Sequence, residues 1–213
     1  MRVERFKVGP LENNLYILST PGAHDAIVVD PSIESEDVLR QIEARGLHVK
    51  RILLTHAHID HIVMVKPFHD RTGAPVWLGA DDWFLYERGK DQAAQLGMNW
   101  PGTVPIAHWI TDGEEVGIPG IAASAIRTPG HSPGSMTFAT EAGLIAGDVL
   151  FRGSVGRTDL PGGDWATLAQ SVRERLFAYP PETTVYPGHG PVTTIGHEMK
   201  TNPFVGQSAF ERA

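Results

Sequence analysis

Three imidazoles and a carboxylate fall within six residues, His56-Ala57-His58-Ile59-Asp60-His61. Neutral imidazole nitrogen is the commonest protein ligand for zinc, and a carboxylate adds a hard oxygen donor. His56 and His58 are two positions apart, so in extended chain they point the same way and can grip one ion. Asp60 and His61 come where the chain turns toward a helix and can face a second ion. Farther along, His131, Asp148 and His189 each follow a glycine, which lets backbone approach closely and aims the side chain. Together these are five histidines and two aspartates, enough donors for two ions with places left for solvent. Two ions about 3.5–4 Å apart can lower the pKa of a shared water to near 7, giving a nucleophile at neutral pH without serine or cysteine.

The elements that must position these groups are legible as apolar runs broken by glycine and proline. Arg2 to Val8, Asn14 to Ser19 and Ala26 to Asp30 read as strands. A helix follows, with Ser35 as N-cap, Val38, Leu39 and Ile42 as its apolar stripe, and Gly46 at its end. The strand Arg51 to Leu54 delivers the histidine loop at its carboxyl end. One helix is then expected to Thr72, with Pro67 in its first turn or kinking it. Ala74 to Leu78 is a strand. Residues 80–105 are patternless apart from a helical Asp91 to Leu96, and the Met98-Asn99-Trp100-Pro101 loop reads as a flap over a pocket or a connector packing Trp100 on the body. Ile106 to Ile110 and Glu115 to Ile118, joined through Asp112-Gly113, look like a hairpin. Strands at Ile121 to Arg127, Ser135 to Thr140, Leu144 to Ala146 and Thr183 to Tyr186 lead to His131, Asp148 and His189. Asp164 caps a helix bearing Trp165, Leu168, Val172 and Leu176, and Thr194 to Lys200 forms a terminal helix. Strands then helices, twice over, suggest two packed mixed sheets with helices outside.

The chain of 213 residues is expected to form one domain, 1–213, with 206–213 a loose tail. An apolar fraction of 41% against 20% charged excludes a disordered chain. The absence of cysteine excludes disulfides, thiolate ligands, a cysteine nucleophile and iron–sulfur clusters. Charges in Met1-Arg2-Val3-Glu4-Arg5-Phe6-Lys7 stand where a signal peptide needs an apolar core, and no run approaches a membrane span, so a cytoplasmic protein is expected. A net charge of −7 gives no broad electrostatic reason to bind nucleic acid; an anionic small substrate needs a local basic patch.

The whole set resembles the metallo-β-lactamase superfamily, and within it the short glyoxalase II-like (hydroxyacylglutathione hydrolase-like) subgroup. The resemblance runs through Gly9-Pro10-Leu11-Glu12-Asn13-Asn14, Thr55-His56-Ala57-His58-Ile59-Asp60-His61 and Thr128-Pro129-Gly130-His131-Ser132-Pro133-Gly134. It continues through Gly147-Asp148-Val149-Leu150-Phe151, Gly156-Arg157-Thr158-Asp159 and Pro187-Gly188-His189-Gly190-Pro191. It implies a four-layer αβ/βα sandwich and two divalent ions, zinc foremost with iron or manganese as alternatives. His56, His58 and His131 would hold the first ion, Asp60, His61 and His189 the second, and Asp148 would bridge. The implied activity is hydrolysis of a glutathione thioester, S-D-lactoylglutathione, by a metal-bridging hydroxide, with Asp60 and Asp148 catalytic. Full-length glyoxalase II carries basic residues for glutathione on a C-terminal helical extension. This chain stops soon after Phe204, leaving Arg157 as the replacement contact, unless it is only a salt-bridge partner of Asp159. Val63-Met64 stands where the family has a Gly pair, and would narrow the site or pack beneath the helix. The rival within the fold is a persulfide dioxygenase, which shares Gly-Arg-Thr-Asp and would use one iron on His56, His131 and Asp148. Outside enzymes, a non-catalytic metal-binding module remains, and the complete ligand set argues against it.

Overall fold

Alternate residues of β2 (Asn13–Ser19) face two different cores in the computed structural model, which describes residues 1–207. Leu15 and Ile17 join one buried cluster, while Tyr16 and Leu18 join another. β3 (Asp25–Val29) divides the same way, Ala26 and Val28 against Ile27 and Val29. A strand whose two faces are both apolar has to lie between layers, because successive side chains point to opposite sides. These strands belong to a six-stranded sheet ordered β1-β2-β3-β4-β5-β6, with β1 (Arg2–Val8), β4 (His48–Leu53), β5 (Val76–Gly79) and β6 (Ile106–Ile110). The first three run antiparallel and β3 to β6 run parallel.

The outer face of this sheet is covered by α1 (Glu36–Ala44) through Val38, Leu39 and Ile42, and by α3 (Val65–Thr72) through Val65 and Phe68. Its inner face meets a second sheet, ordered β13-β12-β9-β8-β7, in a core that includes Leu53, Ala125, Met136, Phe138 and Ile145. The second sheet comprises β7 (Ala123–Arg127), β8 (Met136–Thr140), β9 (Gly143–Gly147), β12 (Thr184–Pro187) and β13 (Thr193–Thr194). The small hairpin β10 (Leu150–Phe151) and β11 (Ser154–Val155) stands apart. Leu144 and Ala146 on the far face of β9 pack against Leu168, Val172 and Leu176 of α6 (Trp165–Gln170) and its π-helical continuation Ser171–Leu176, and against Ile195 of α7 (Ile195–Thr201). Helix, sheet, sheet, helix is the four-layer αβ/βα sandwich.

Two local expectations are corrected. The hairpin between Ile106–Ile110 and Glu115–Ile118 does not form: β6 pairs in parallel with β5, and Glu115 bridges Ser124 instead. Asp112-Gly113 serves as the crossover from one sheet to the other, with Asp112 accepting from Arg127 N at 2.8 Å and Gly113 N donating to Ala125 O at 2.8 Å. The single helix after His61 is two, α2 (Ile59–Ile62) and α3, interrupted at Val63-Met64, where Met64 N donates to Pro31 O at 3.2 Å. Pro67 sits in the first turn of α3, where a missing N–H costs nothing. Val205, just before the expected tail, is buried in the third core, and Gly206 N donates to Asn202 O at 3.1 Å. Residues 208–213 of that expected tail lie outside the described residues. Among the described residues no helix is long and apolar enough to cross a membrane.

Candidate metal centre

Adjacent strand ends gather at one edge of the sandwich, and a buried aspartate ties the first two together. Asp30, at the end of β3, adopts a left-handed φ of 50°, which Asp tolerates better than most residues. Its Oδ1 accepts Thr55 N at 2.7 Å, and its Oδ2 accepts Thr55 Oγ1 at 2.6 Å and His61 Nδ1 at 3.0 Å. A second buried aspartate, Asp82, joins loops from the two sheets: Oδ2 accepts Ala57 N at 2.9 Å and Ser132 Oγ at 2.7 Å, and Oδ1 accepts Gly134 N at 2.6 Å. Burial pushes the Asp82 carboxyl up, against the pull of those donors. The glycines before the donors are there for space. A Cβ on Gly188 would lie 2.0 Å from Asp148 Oδ1, and one on Gly147 would lie 2.4 Å from Thr55 Oγ1.

His56, His58 and His131 converge as one set, all buried. His131 Nδ1 donates to Arg157 O at 2.7 Å, and His56 Nδ1 lies 3.1 Å from Thr55 Oγ1, whose own hydroxyl is spent on Asp30. That fixes Nε2 of both rings as acceptors, and they face each other at 3.2 Å. His58 Nδ1 approaches His131 Nε2 at 2.8 Å. Burial and the neighbouring rings hold His56 well below the usual imidazole range and His58 down at about 4. Opposed lone pairs in a dry site are repulsive unless a cation sits among them, so the donors fit a metal ion.

Asp60, His61 and His189 form the second set. His61 Nδ1 is held by Asp30 and His189 Nδ1 donates to Leu11 O at 2.8 Å, so both Nε2 atoms point inward, 3.3 Å apart. Asp60 Oδ2 lies 3.2 Å from His189 Nε2 and 3.4 Å from His61 Nε2, and accepts from Asn13 Nδ2 at 2.8 Å. Asp148 reaches both sets. Its Oδ1 is 3.4 Å from His61 Nε2 yet accepts no hydrogen bond, and its Oδ2 is 3.4 Å from His189 Nε2 and 3.7 Å from His131 Nε2. Burial favours neutral carboxyls here, but His61 and His189 outweigh it and hold Asp60 and Asp148 below the carboxylate range. The same pairing lifts His189 to about 10 against its own burial. Two carboxylates in a buried pocket make this half of the centre attractive to positive charge. A third, overlapping group is Asp30, His56 and His61, but the Asp30 oxygens are already committed.

All seven donors expected from the sequence are therefore brought together, and five of them, His58, Asp60, His131, Asp148 and His189, line a cavity of about 600 Å³ with His56 and His61 buried beneath. Its walls include Leu11, Ile59, Leu96, Phe151, Val155 and Leu160, with Arg157 at the side. Arg157 also makes the anticipated bidentate pair with Asp159, 2.7 Å at each contact, which holds that carboxyl at about 2. The Met98–Pro101 loop takes no part in the lining. Trp100 packs over Gly89 of α5 (Gly89–Gln95) and Met98 rests against the core, so the wall comes from Gln92, Gln95 and Leu96 instead. Val63 and Met64 are buried in the core beneath the helices and do not narrow the cavity. Asp30, Asp82, Asn13 and Gln92 were not foreseen as part of the centre. Gln92 accepts Ile59 N at 3.1 Å and donates to Ala57 O at 3.2 Å, bracing the histidine loop from α5.

A family model described as the metallo-beta-lactamase superfamily matches residues 8–189. The chain belongs to the metallo-β-lactamase superfamily. It is 33% identical to the hydroxyacylglutathione hydrolase GloC of Haemophilus influenzae, over 98% of this chain and 100% of that protein. Among solved structures it is similar to the BLEG-1 B3 metallo-beta-lactamase, with a TM-score of 0.89 and 36% identity over 96% of this chain and 99% of that one. It is also similar to TTHA1623 in a di-iron-bound form, with a TM-score of 0.85 and 40% identity over 95% of this chain and 100% of that one. Within this superfamily the chain is a metallohydrolase.

Proposed function

We propose that this chain is a thioester hydrolase of glyoxalase II type that cleaves S-D-lactoylglutathione to glutathione and D-lactate. The observation that carries the reading is Asp148, whose two oxygens face both donor sets at 3.4–3.7 Å on the floor of a cavity sized for a small molecule. In this reading His56, His58 and His131 would hold one divalent ion and Asp60, His61 and His189 the other, with Asp148 placed to serve both. Nitrogen and carboxylate donors suit zinc, while the di-iron form of one relative supports two ions and keeps iron, with manganese, as an alternative. The ions, when bound, supply Lewis acidity and acidify water.

The chain's own groups do the positioning. Asn13 holds Asp60 Oδ2, leaving Oδ1 to accept a hydrogen bond from the attacking water and keep it in line with the thioester carbon. The apolar walls Leu11, Ile59 and Phe151 exclude bulk water around the acyl group. Arg157 takes a carboxylate of the thiol carrier. A thiolate leaves readily, so no strong general acid is required.

Hydrolysis of S-D-lactoylglutathione beside an acyl-coenzyme A and a β-lactam, with metal content measured on the same protein, tests the reading. We expect lactoylglutathione to be the best of the three, two ions per chain, and a loss of at least about 100-fold in His58→Ala and Asp148→Ala. Undiminished hydrolysis by Asp148→Ala would sink it. The single-iron dioxygenase alternative would leave Asp60, His61 and His189 with no ion to hold, and their convergence favours the two-metal hydrolase. One iron per chain with oxygen uptake on glutathione persulfide would reverse that preference.

A further inference from the structure

Among the described residues that line the cavity, Arg157 is the one arginine or lysine. Its main chain is anchored at the centre, because its carbonyl oxygen takes the His131 Nδ1–H and the next lining residue, Leu160, lies three positions on. Yet the guanidinium is already occupied. Its Nε and Nη2 donate to Asp159 Oδ1 and Oδ2, 2.7 Å each, although the two side chains are 62% and 68% exposed. The planar Nε–Nη2 edge accommodates one carboxylate in this geometry. An ion pair this open to water is weakly held and readily exchanged.

We infer that Asp159 is an internal stand-in for a substrate carboxylate, keeping the Arg157 fork presented at the cavity wall and yielding it to the anionic end of an incoming thioester. Asp159 thereby sets how strongly the enzyme prefers carboxylate-bearing substrates over uncharged ones. The identity of the substrate rests on the thioesterase reading; the exchange of carboxylates at Arg157 does not. Nη1 takes no part in the pair with Asp159, so Asp159 weakens anionic ligands without excluding them.

Calorimetric titration of the metal-loaded protein with S-hexylglutathione, a thioether that cannot be hydrolysed, reads the exchange directly. Its uncharged counterpart, S-hexyl-N-acetylcysteamine, is the reference. Asp159→Asn and Asp159→Ala should each bind S-hexylglutathione about three- to fivefold more tightly and leave the uncharged ligand within experimental error. In an Arg157→Ala background the same substitutions should give no gain. Equal or weaker binding of S-hexylglutathione by both Asp159 variants would overturn the inference, showing Asp159 to orient Arg157. A gain that persists without Arg157 would overturn it too, by tracing the effect to net charge. Unfolding midpoints of the variants separate a binding change from a folding change. Should no variant and no wild-type sample hydrolyse any thioester, the thioesterase reading fails, and the binding comparison still decides this one.

Discussion

Asp30 holds no proposed ion and faces no substrate, but three donors converge on its carboxylate, all from Thr55 and His61 at the two ends of the stretch that carries four of the seven proposed ligands. Asp30→Ala would leave Thr55 N–H and the His61 Nδ1–H unpaired in a buried site. We expect it to cost about 2–4 kcal/mol of stability and 10–100-fold in metal affinity, read by thermal unfolding and by competition with a chromophoric chelator. Wild-type affinity in this variant would show that the imidazoles orient themselves. The backing residues escaped sequence reading for identifiable reasons. Val29-Asp30-Pro31 looks like a strand being stopped, and Asp82 sits in a short 3-10 turn, Ala80–Asp82, inside a stretch with no periodicity. The proposed ligands themselves were legible because four of them crowd into six residues and the other three each follow a glycine at a strand end. Histidines without that setting, such as His69, make local bonds, here Nδ1 to Ala74 O at 2.9 Å.

At the scale of elements, two contacts outside the centre give measurable effects. Thr194 caps α7 by accepting His197 N at 3.2 Å. Thr194→Ala should cost about 1 kcal/mol, a fall of about 2–4 °C in unfolding midpoint for a domain of this size. Asp112 links the crossover to the helical layer, accepting Arg175 Nη2 at 2.7 Å as well as Arg127 N. Chiefly the Arg175 hydrogen bond, then Arg127, holds its carboxyl below the usual range. A depressed carboxylate contributes stability that is present above the unfolded pKa near 3.9 and is lost as pH falls through the lower folded value. Asp112→Asn should therefore unfold more easily than wild type near pH 6, by less than about 1 kcal/mol because water screens the pair, and the difference should disappear in stronger acid. A difference that grows with acidity would contradict the assignment. The same Asp112-Gly113 dipeptide explains the misread hairpin: the turn chemistry was recognised, but a dipeptide cannot say whether the chain returns to its own sheet or crosses to the other. The split between α2 and α3 was equally hidden, because Val63 and Met64 continue an apolar stripe and the backbone bond from Met64 to Pro31 is a long-range contact.

For the molecule as a whole, the order of strands then helices, twice over, made the layered sandwich readable, and β2, β3 and β9, buried on both faces, have the neighbours on both sides that it requires. The donors come from both sheets, His56 to His61 from the first and His131, Asp148 and His189 from the second. Bound ions would therefore staple the sheets across their shared core. Chelation should lower the unfolding midpoint of the loaded protein, with a stabilisation of about 2.7 kcal/mol restored when free metal reaches 100 times its dissociation constant. A midpoint indifferent to chelator would mean that the strand ends are set without the ions. The Asp30 and Asp82 networks bear on one further matter, the order in which the protein comes into being. During synthesis His56 to His61 emerge before their partner His131, and His189 later still, with chain leaving the ribosome at about 5–20 residues per second. For most of that time the early histidines have no companions and no fixed rotamers. Choice of metal thus falls to the finished fold, and protein folded without metal and loaded afterwards should reach the same ion content as protein made in its presence.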